Sequence, residues 1–218
     1  MFQGFSRSAS DWFWELIFNN ERPWFEAHRE EYIRLLKEPF HSLAEDTLAE
    51  MRRRHPERDF RLHVARIYRD ARRLFGRGPY KDHLWFSIKE SGCWEQGRSF
   101  WFELGAAEYS YGCGFYSDKA TAMDNWRRYV DANGAQVERM AKRLKRYKDF
   151  KLEGQEYKRL KADKGELLNP WYNRRWLGIE RTLDFGGDLL TPELPRKLCD
   201  AYDFLMPYYD MFANAFED

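Results

Sequence analysis

The hydrophobic positions of the N-terminal quarter recur at the spacing of helices. Ser8-Ala9-Ser10-Asp11 resembles a capping box with aspartate in place of glutamate, and it opens an apolar run over residues 12–18. Apolar residues three and four positions apart predict a second helix over 23–37 and a third from Pro39 to Pro56. We therefore expect the chain to begin with a set of helices.

The period changes to two in the middle of the chain. Leu84, Phe86 and Ile88 alternate with more polar residues, which predicts a strand. The linkers 90–98 and 105–107 are short, so neighbouring strands are expected to pair as antiparallel hairpins. The four predicted strands cover 62–69, 83–89, 99–105 and 108–116.

Helical spacing returns in the last part of the chain. It predicts helices over 119–132 and 135–148, a strand near 177–183, and a helix from Thr191 that Pro207 breaks into two. This order favours an α+β fold with N-terminal helices, a central antiparallel sheet of about four or five strands, and C-terminal helices. The chain is expected to form a single domain over residues 1–218.

Composition narrows the class of protein. Aromatic residues make up 18 % of the 218 residues, enough to build a large core. No window is apolar enough for a membrane span, and the first residues lack the apolar core of a signal peptide. Three scattered cysteines without a C-x-x-C pair argue against disulfides. We expect a cytoplasmic protein that does not bind membranes.

The motifs of common cofactor and metal sites are missing from the sequence. No G-x-G-x-x-G follows a predicted strand, and the five histidines lack the H-E-x-x-H spacing. The sequence therefore predicts neither a cofactor nor a metal. Cys113 between two glycines is a candidate nucleophile, but a small residue packed in a strand is the favoured interpretation.

Charge is segregated although the net charge is only +1. Residues 51–81 contain 11 basic and 3 acidic residues, and residues 139–161 contain 10 basic and 3 acidic residues. Such blocks either pair with acidic blocks within the fold or form a basic surface for phosphate or nucleic acid. Both interpretations stay open at this level.

A motif in the middle of the chain resembles the hallmark of a known family. It comprises Arg66-Ile67-Tyr68-Arg69-Asp70 followed by Gly78-Pro79-Tyr80-Lys81-Asp82-His83. The resemblance is to domain of unknown function 2461. Asn20-x-x-x-Trp24-Phe25-x-x-x-Arg29-x-x-Tyr32, Gly112-x-Gly114 with Tyr116, and Leu152-x-Gly154-x-x-Tyr157 also match its pattern. Arg73 and Gly76-Arg77-Gly78 depart from it. The resemblance implies a fold and a functional region, but no activity.

The same motif supplies the candidate site. Arginines on a half-buried strand need an anionic partner, and the glycine loop between Asp70 and His83 adds further cations and backbone N–H groups. We predict a sheet-face pocket for a small anionic, nucleotide-like ligand, with His83 as general acid or base and Glu103 orienting it. The remaining predicted ligand-binding residues are Arg66, Arg69, Asp70, Tyr80, Lys81, Trp85, Ser87 and Trp101.

Other interpretations compete with this one. In the first, Arg66, Arg69 and Asp70 form an internal ion network and His83 is only a satisfied polar residue. In the second, the basic blocks 52–81 and 139–161 bind nucleic acid. In the third, the chain is a non-catalytic protein-interaction module. Substrate, turnover and oligomeric state are left open by the sequence.

Overall fold

The computed structural model describes residues 1–70, 72, 74, 76–91, 97–115 and 120–215. The chain forms two compact units. The first unit contains Met1–Ile88, Trp101–Tyr111 and Thr182–Asp200, and the second contains Lys89–Phe100, Gly112–Arg181 and Ala201–Asp218. That the whole chain behaves as a single domain stays a prediction.

The N-terminal helices form where helical spacing predicts them, but they divide differently. The chain begins with α1 (Arg7–Phe18), α2 (Arg22–Ala27) and α3 (Arg29–Tyr32). A π-helical turn (Ile33–Lys37) then leads directly into α4 (Glu38–Arg54). The predicted break before Pro39 is wrong, because the chain stays helical through it, with the wider π-helical turn ending at Lys37, shortly before the proline that lacks an N–H.

A six-stranded sheet follows in the described residues. Its strands are β1 (Phe60–Val64), β2 (His83–Glu90), β3 (Arg98–Gly105), β4 (Glu108–Phe115), β5 (Lys151–Glu153) and β6 (Leu177–Asp184), in the order β1-β2-β3-β4-β6-β5. The α+β prediction is confirmed, with slightly more strands than expected. The additional strand is the short β5, which pairs antiparallel with β6 and places Leu152 opposite Ile179.

The predicted strand over residues 62–69 is regular only as far as Val64. The chain beyond it still follows β2 through backbone hydrogen bonds. The Ala65 N–H donates to the Trp85 carbonyl at 3.0 Å, and the Lys81 N–H donates to the Ile67 carbonyl at 2.8 Å. This irregular extension holds the central motif against the edge of the sheet.

The core of the first unit is aromatic. Phe86 of β2 stacks on Phe102 of β3 at 5.5 Å, and Phe40 of α4 packs edge-on against Phe86 at 5.7 Å. All three side chains are buried. Because side chains alternate along a strand, Trp85 and Trp101 lie on the opposite face of the sheet, where both are only partly buried.

The second unit holds α5 (Ala120–Ala132), α6 (Gly134–Arg146) and α7 (Gly165–Tyr172). Its core centres on the fully buried Trp126, whose indole N–H donates to the Trp171 carbonyl at 2.7 Å. A short 3-10 turn (Gly187–Leu190) and α8 (Leu194–Asn214) complete the chain.

The predicted break at Pro207 is wrong, because α8 continues through it. Tyr208 and Tyr209, which follow the proline, are fully buried. Burial of such side chains offsets the lost backbone hydrogen bond. Among the helices of the described residues, none combines the length and apolarity needed to cross a bilayer.

Candidate functional site

The central motif is fixed to the N-terminal helices by one asparagine. The Asn20 side-chain amide donates to the Tyr80 carbonyl at 3.0 Å, and the Tyr80 N–H donates to the Asn20 side-chain oxygen at 3.0 Å. A side-chain carbon on Gly78 would lie 2.3 Å from the Asn20 carboxamide. Glycine at position 78 therefore permits the clamp between Asn20 and the motif.

One arginine of the motif is bound within the fold. The Arg69 Nε–H donates to the Tyr80 carbonyl at 2.7 Å, and its Nη2 lies 3.2 Å from the Asp82 carboxylate. The same carboxylate oxygen contacts His83 Nδ1 at 2.9 Å. Burial raises the Asp82 pKa, but a backbone hydrogen bond, the His83 hydrogen bond and the charges of His83 and Arg69 outweigh it, so this pKa is lowered overall. We call these three residues the Asp82 cluster.

Asp70 and His83 each contact a charged neighbour in the chain. Asp70 pairs with Arg72, its carboxylate lying 2.7 Å from Nη2 and 3.1 Å from Nε. His83 contacts Asp82, whereas Glu103 was predicted to orient it. The catalytic roles of His83 and Glu103 stay predictions.

Arg66 lines a pocket between the motif and the N-terminal helices. The segment from Val64 to Tyr68 closes this pocket, whose volume is about 300 Å³. The residues of this Arg66 pocket are Phe25, Arg29, Tyr32, Ile33, Lys37, His41, Val64, Ala65, Arg66, Ile67 and Tyr68.

The charge of the Arg66 pocket has one sign. Four of its lining residues, namely Arg29, Lys37, His41 and Arg66, have basic side chains, and none of the described lining residues is acidic. Arg29 contacts Glu26 at 3.3 Å, in a pair whose side chains are both more than half exposed. In the part of the chain that the structure describes, no carboxylate forms an ion pair with the other three.

Aromatic rings form the walls of the pocket. Phe25 stacks on Tyr80 at 4.0 Å, and the rings of Tyr32 and Tyr68 lie 5.3 and 6.0 Å from Phe25. Burial, together with the neighbouring Tyr68, raises the pKa of Tyr32 to about 12. The Tyr32 phenol is neutral near pH 7, as any tyrosine is, and can donate a hydrogen bond.

Lys81 lies beside the backbone of Arg66. Its ammonium donates to the Arg66 carbonyl at 2.6 Å and lies 5.9 Å from the centre of the Trp85 ring. Burial lowers the pKa of Lys81, as do the charges of Arg66 and Arg69, while Glu103 acts in the opposite direction. The ammonium is thus among like charges and lacks a close carboxylate in the described structure.

The predicted site residues therefore lie in different environments. Among the predicted site residues, the described lining of the pocket includes Arg66 and none of the others. Tyr80 and Ser87 are buried, Trp85 and Trp101 are partly buried, and Glu103 is exposed. The helical half of the pocket, with Arg29, Lys37 and His41, was not predicted from the sequence.

The signal for that half was present in the sequence. Arg29 and Tyr32 belong to the N-terminal motif that resembles the family pattern. Lys37 ends the π-helical turn and His41 follows it by four residues. Turns of this kind occur frequently at functional sites. Their proximity to Arg66 is a tertiary contact that no local pattern shows.

Several arginines of the basic block 52–81 are neutralised within the first unit. Glu50 lies 2.7 Å from both Arg53 and Arg54, and Arg61 lies 2.8 Å from Asp59. In contrast, the block 139–161 keeps exposed cations such as Lys148 and Lys158.

The cysteines that the structure describes are not placed as nucleophiles. Cys113 and Cys199 are fully buried, and burial raises the pKa of the Cys113 thiol. The same described residues contain no group of three or more His, Cys, Asp or Glu side chains placed to hold a metal. Arg73, Cys93 and Tyr116 lie outside the described residues.

Comparison with known proteins supports the family resemblance. A family model described as a conserved hypothetical protein, DUF2461, matches residues 8–211. No curated protein matches the chain. The match includes both halves of the Arg66 pocket, and its description states no activity.

Proposed function

Because the chain belongs to the DUF2461 family of conserved hypothetical proteins, for which no activity is stated, we propose a function from the geometry of the Arg66 pocket. The pocket binds a small anionic ligand that carries a phosphate group, as a nucleotide does. The observation that carries this proposal is a concave site lined by four basic side chains and no described acidic one. A group of basic side chains of which only Arg29 contacts a carboxylate in the described structure is complementary to an anion.

Arg66 is the principal ligand contact in this proposal. Its planar guanidinium donates to two oxygens of one phosphate in a fixed geometry, whereas a lysine acts as a point charge. Arg66 is exposed and belongs to no ion pair among the described residues. Its guanidinium can therefore bind an anion without first leaving a carboxylate.

The neighbouring groups supply the rest of the site. Lys37 and His41 approach from the π-helical turn and α4, and the neutral Tyr32 phenol donates a hydrogen bond. Tyr68 is 42 % exposed and offers a ring face on which a planar base can stack. A bound phosphate also offsets the repulsion between Arg66 and Lys81.

Titration calorimetry with pyrophosphate and with ATP tests the proposal. Arg66→Ala is expected to weaken binding of both by about 10-fold to 100-fold, the range for a charged hydrogen bond. The matched control is Arg61→Ala, an exposed arginine of β1 that pairs with Asp59 outside the pocket, and it is expected to stay within about twofold of the wild type.

Two outcomes contradict the proposal. One is that neither anion binds the wild-type protein. The other is equal binding by wild type and Arg66→Ala. If instead a DNA duplex binds with affinity that falls steeply as salt rises, nucleic-acid association through the basic blocks replaces the present proposal.

A further inference from the structure

A second concave site lies within the second unit and is independent of the Arg66 pocket. It is a groove of about 260 Å³ between the end of α6, the chain leading into β5, and α7. Its floor is apolar and includes Ala141, Leu144 and Trp171, all of which are buried. We call it the α6–α7 groove.

The walls of the groove are fixed by packing around Phe204. Tyr147 stacks on Phe204 at 4.0 Å, and Phe150 stacks on the same ring at 5.5 Å. Arg143 lies over Phe204 at 4.3 Å. Pairing of β5 with β6 holds Leu152 opposite Ile179. The groove is therefore preformed, which lowers the entropic cost of binding a ligand.

The rim of the groove is positively charged. Lys145, Lys148 and Lys151 line it, and the lining residues that the structure describes include no acidic side chain. Lys145 lies 3.9 Å from Glu166, whose side chain is 97 % exposed. Lys148 and Lys151 form no ion pair within the described residues. An apolar floor below a cationic rim is complementary to an amphiphile with an anionic head group.

We propose that the α6–α7 groove binds a free fatty acid, with the carboxylate at Lys148 and Lys151 and the hydrocarbon chain along the apolar floor. Its volume is slightly below the usual range of ligand pockets, about 300–1,000 Å³, so it admits one chain and not a folded peptide. Lysine ammonium groups on flexible stems hold a single carboxylate while their own methylenes cover the chain.

Chain length is the first test. Hexanoate, octanoate and decanoate are titrated, below their micelle concentrations, into ¹⁵N-labelled full-length protein, and amide shifts are followed. Affinity is expected to rise about threefold to fourfold per methylene as long as the added methylenes are buried. The shifts are expected to concentrate in residues 141–152 and 165–171. Equal affinities for all three acids, or shifts centred elsewhere, would overturn the proposal.

Charge is the second test. The double variant Lys148→Gln/Lys151→Gln is compared with Lys158→Gln/Arg159→Gln, which removes the same charge from exposed positions outside the groove. The first is expected to weaken decanoate binding at least fivefold, and the second by less than twofold. Unchanged unfolding midpoints show that both variants are folded. Equal affinities in the two variants would refute the carboxylate contact.

A membrane surface is the alternative source of such a head group. Vesicles of anionic phospholipid are therefore tested beside monomeric decanoate. We expect the protein to bind monomeric decanoate. We expect no binding of decyltrimethylammonium, which has a similar hydrocarbon chain but a cationic head group. Binding to vesicles without binding to monomeric decanoate would overturn the proposal. None of these outcomes depends on the Arg66 pocket.

Discussion

Arg66 and Arg69 lie three residues apart in one motif, yet their surroundings differ in almost every respect. The Arg69 side chain is 13 % exposed, donates to the Tyr80 carbonyl and contacts Asp82. Arg66 is exposed, forms no ion pair in the described structure, and lines a pocket with three other basic residues. The first arginine stabilises the fold, whereas the second is available to a ligand.

The difference follows from what each side chain meets in the folded chain. Arg69 meets the Tyr80 carbonyl and the Asp82 carboxylate. Arg66 lines a pocket together with basic residues of the N-terminal helices. A run of arginines in a sequence therefore does not define one site, since the fold itself can use some of them.

The largest expected effect comes from the clamp that holds both arginines. Gly78→Ala places a methyl group 2.3 Å from the Asn20 carboxamide and 2.5 Å from the Asn20 carbonyl. We expect a loss of about 2–3 kcal/mol in the free energy of unfolding, as for other overpacked sites. Urea denaturation measures it.

Gly76→Ala is the matched control for this clamp. A side-chain carbon at Gly76 has no neighbour within 4 Å, but its φ of +79° favours glycine. The expected loss is about 1 kcal/mol, from backbone strain alone. Equal losses in the two variants would show that Asn20 moves aside and that the clamp contributes little.

Removal of the arginine that stabilises the fold comes next. Arg69→Ala leaves the Tyr80 carbonyl without its charged donor and Asp82 without its cation. We expect a loss of about 1.5–3 kcal/mol in the free energy of unfolding, measured in urea, with pyrophosphate affinity reduced less than by Arg66→Ala. A neutral effect on stability would remove the contrast between the two arginines.

The Asp82 cluster should also make the free energy of unfolding depend on pH. Because the Asp82 pKa is lowered in the folded state, the ionised carboxylate stabilises the fold. This stabilisation is complete above the pKa of a free aspartate, about 3.9, and it is lost as the pH falls through the lower pKa of the folded state. The side chain is 53 % exposed, so solvent screening limits the effect to below about 1 kcal/mol.

Asp82→Asn isolates this contribution. Wild-type protein is expected to lose more stability between about pH 5 and pH 2 than the variant does. Thermal unfolding across that range measures the difference. Parallel pH profiles for the two proteins would mean that Arg69 and His83 do not stabilise the Asp82 carboxylate.

The smallest effect on stability is expected for the ligand-facing arginine. Arg66→Ala should change the free energy of unfolding by less than about 0.5 kcal/mol, since its guanidinium belongs to no ion pair among the described residues. Calorimetric unfolding without ligand checks this. A loss comparable to that of Arg69→Ala would place Arg66 in the internal ion network instead.

Much of the fold was predictable because its signals are local. Alternation over Leu84, Phe86 and Ile88 predicts β2 with nearly its observed bounds, and the same pattern predicts β3. The regular part of β1 ends early at Val64, and α8 continues through Pro207. In both places tertiary contacts override local propensity. Beyond Val64 the chain pairs with the backbone of β2, and after Pro207 the tyrosines are buried against distant parts of the chain.

The site was less predictable than the fold. The sequence identified Arg66 as a ligand-binding candidate and grouped it with Lys81 and His83 on one sheet face. The structure adds Arg29, Lys37 and His41 around Arg66, a combination that was not predicted. A sequence shows which residues have the chemistry to bind an anion, but the packing of α3 and the π-helical turn against residues 64–68 determines which of them meet.

The most direct test of the central claim is the ¹⁵N NMR signal of the two arginine side chains during a pyrophosphate titration. If Arg66 is the anion-binding group, its Nε signal shifts with a saturating dependence on pyrophosphate, while the Arg69 signal stays in place because its Nε–H is bound to the Tyr80 carbonyl. A saturating shift at Arg69 with no change at Arg66 would contradict the account.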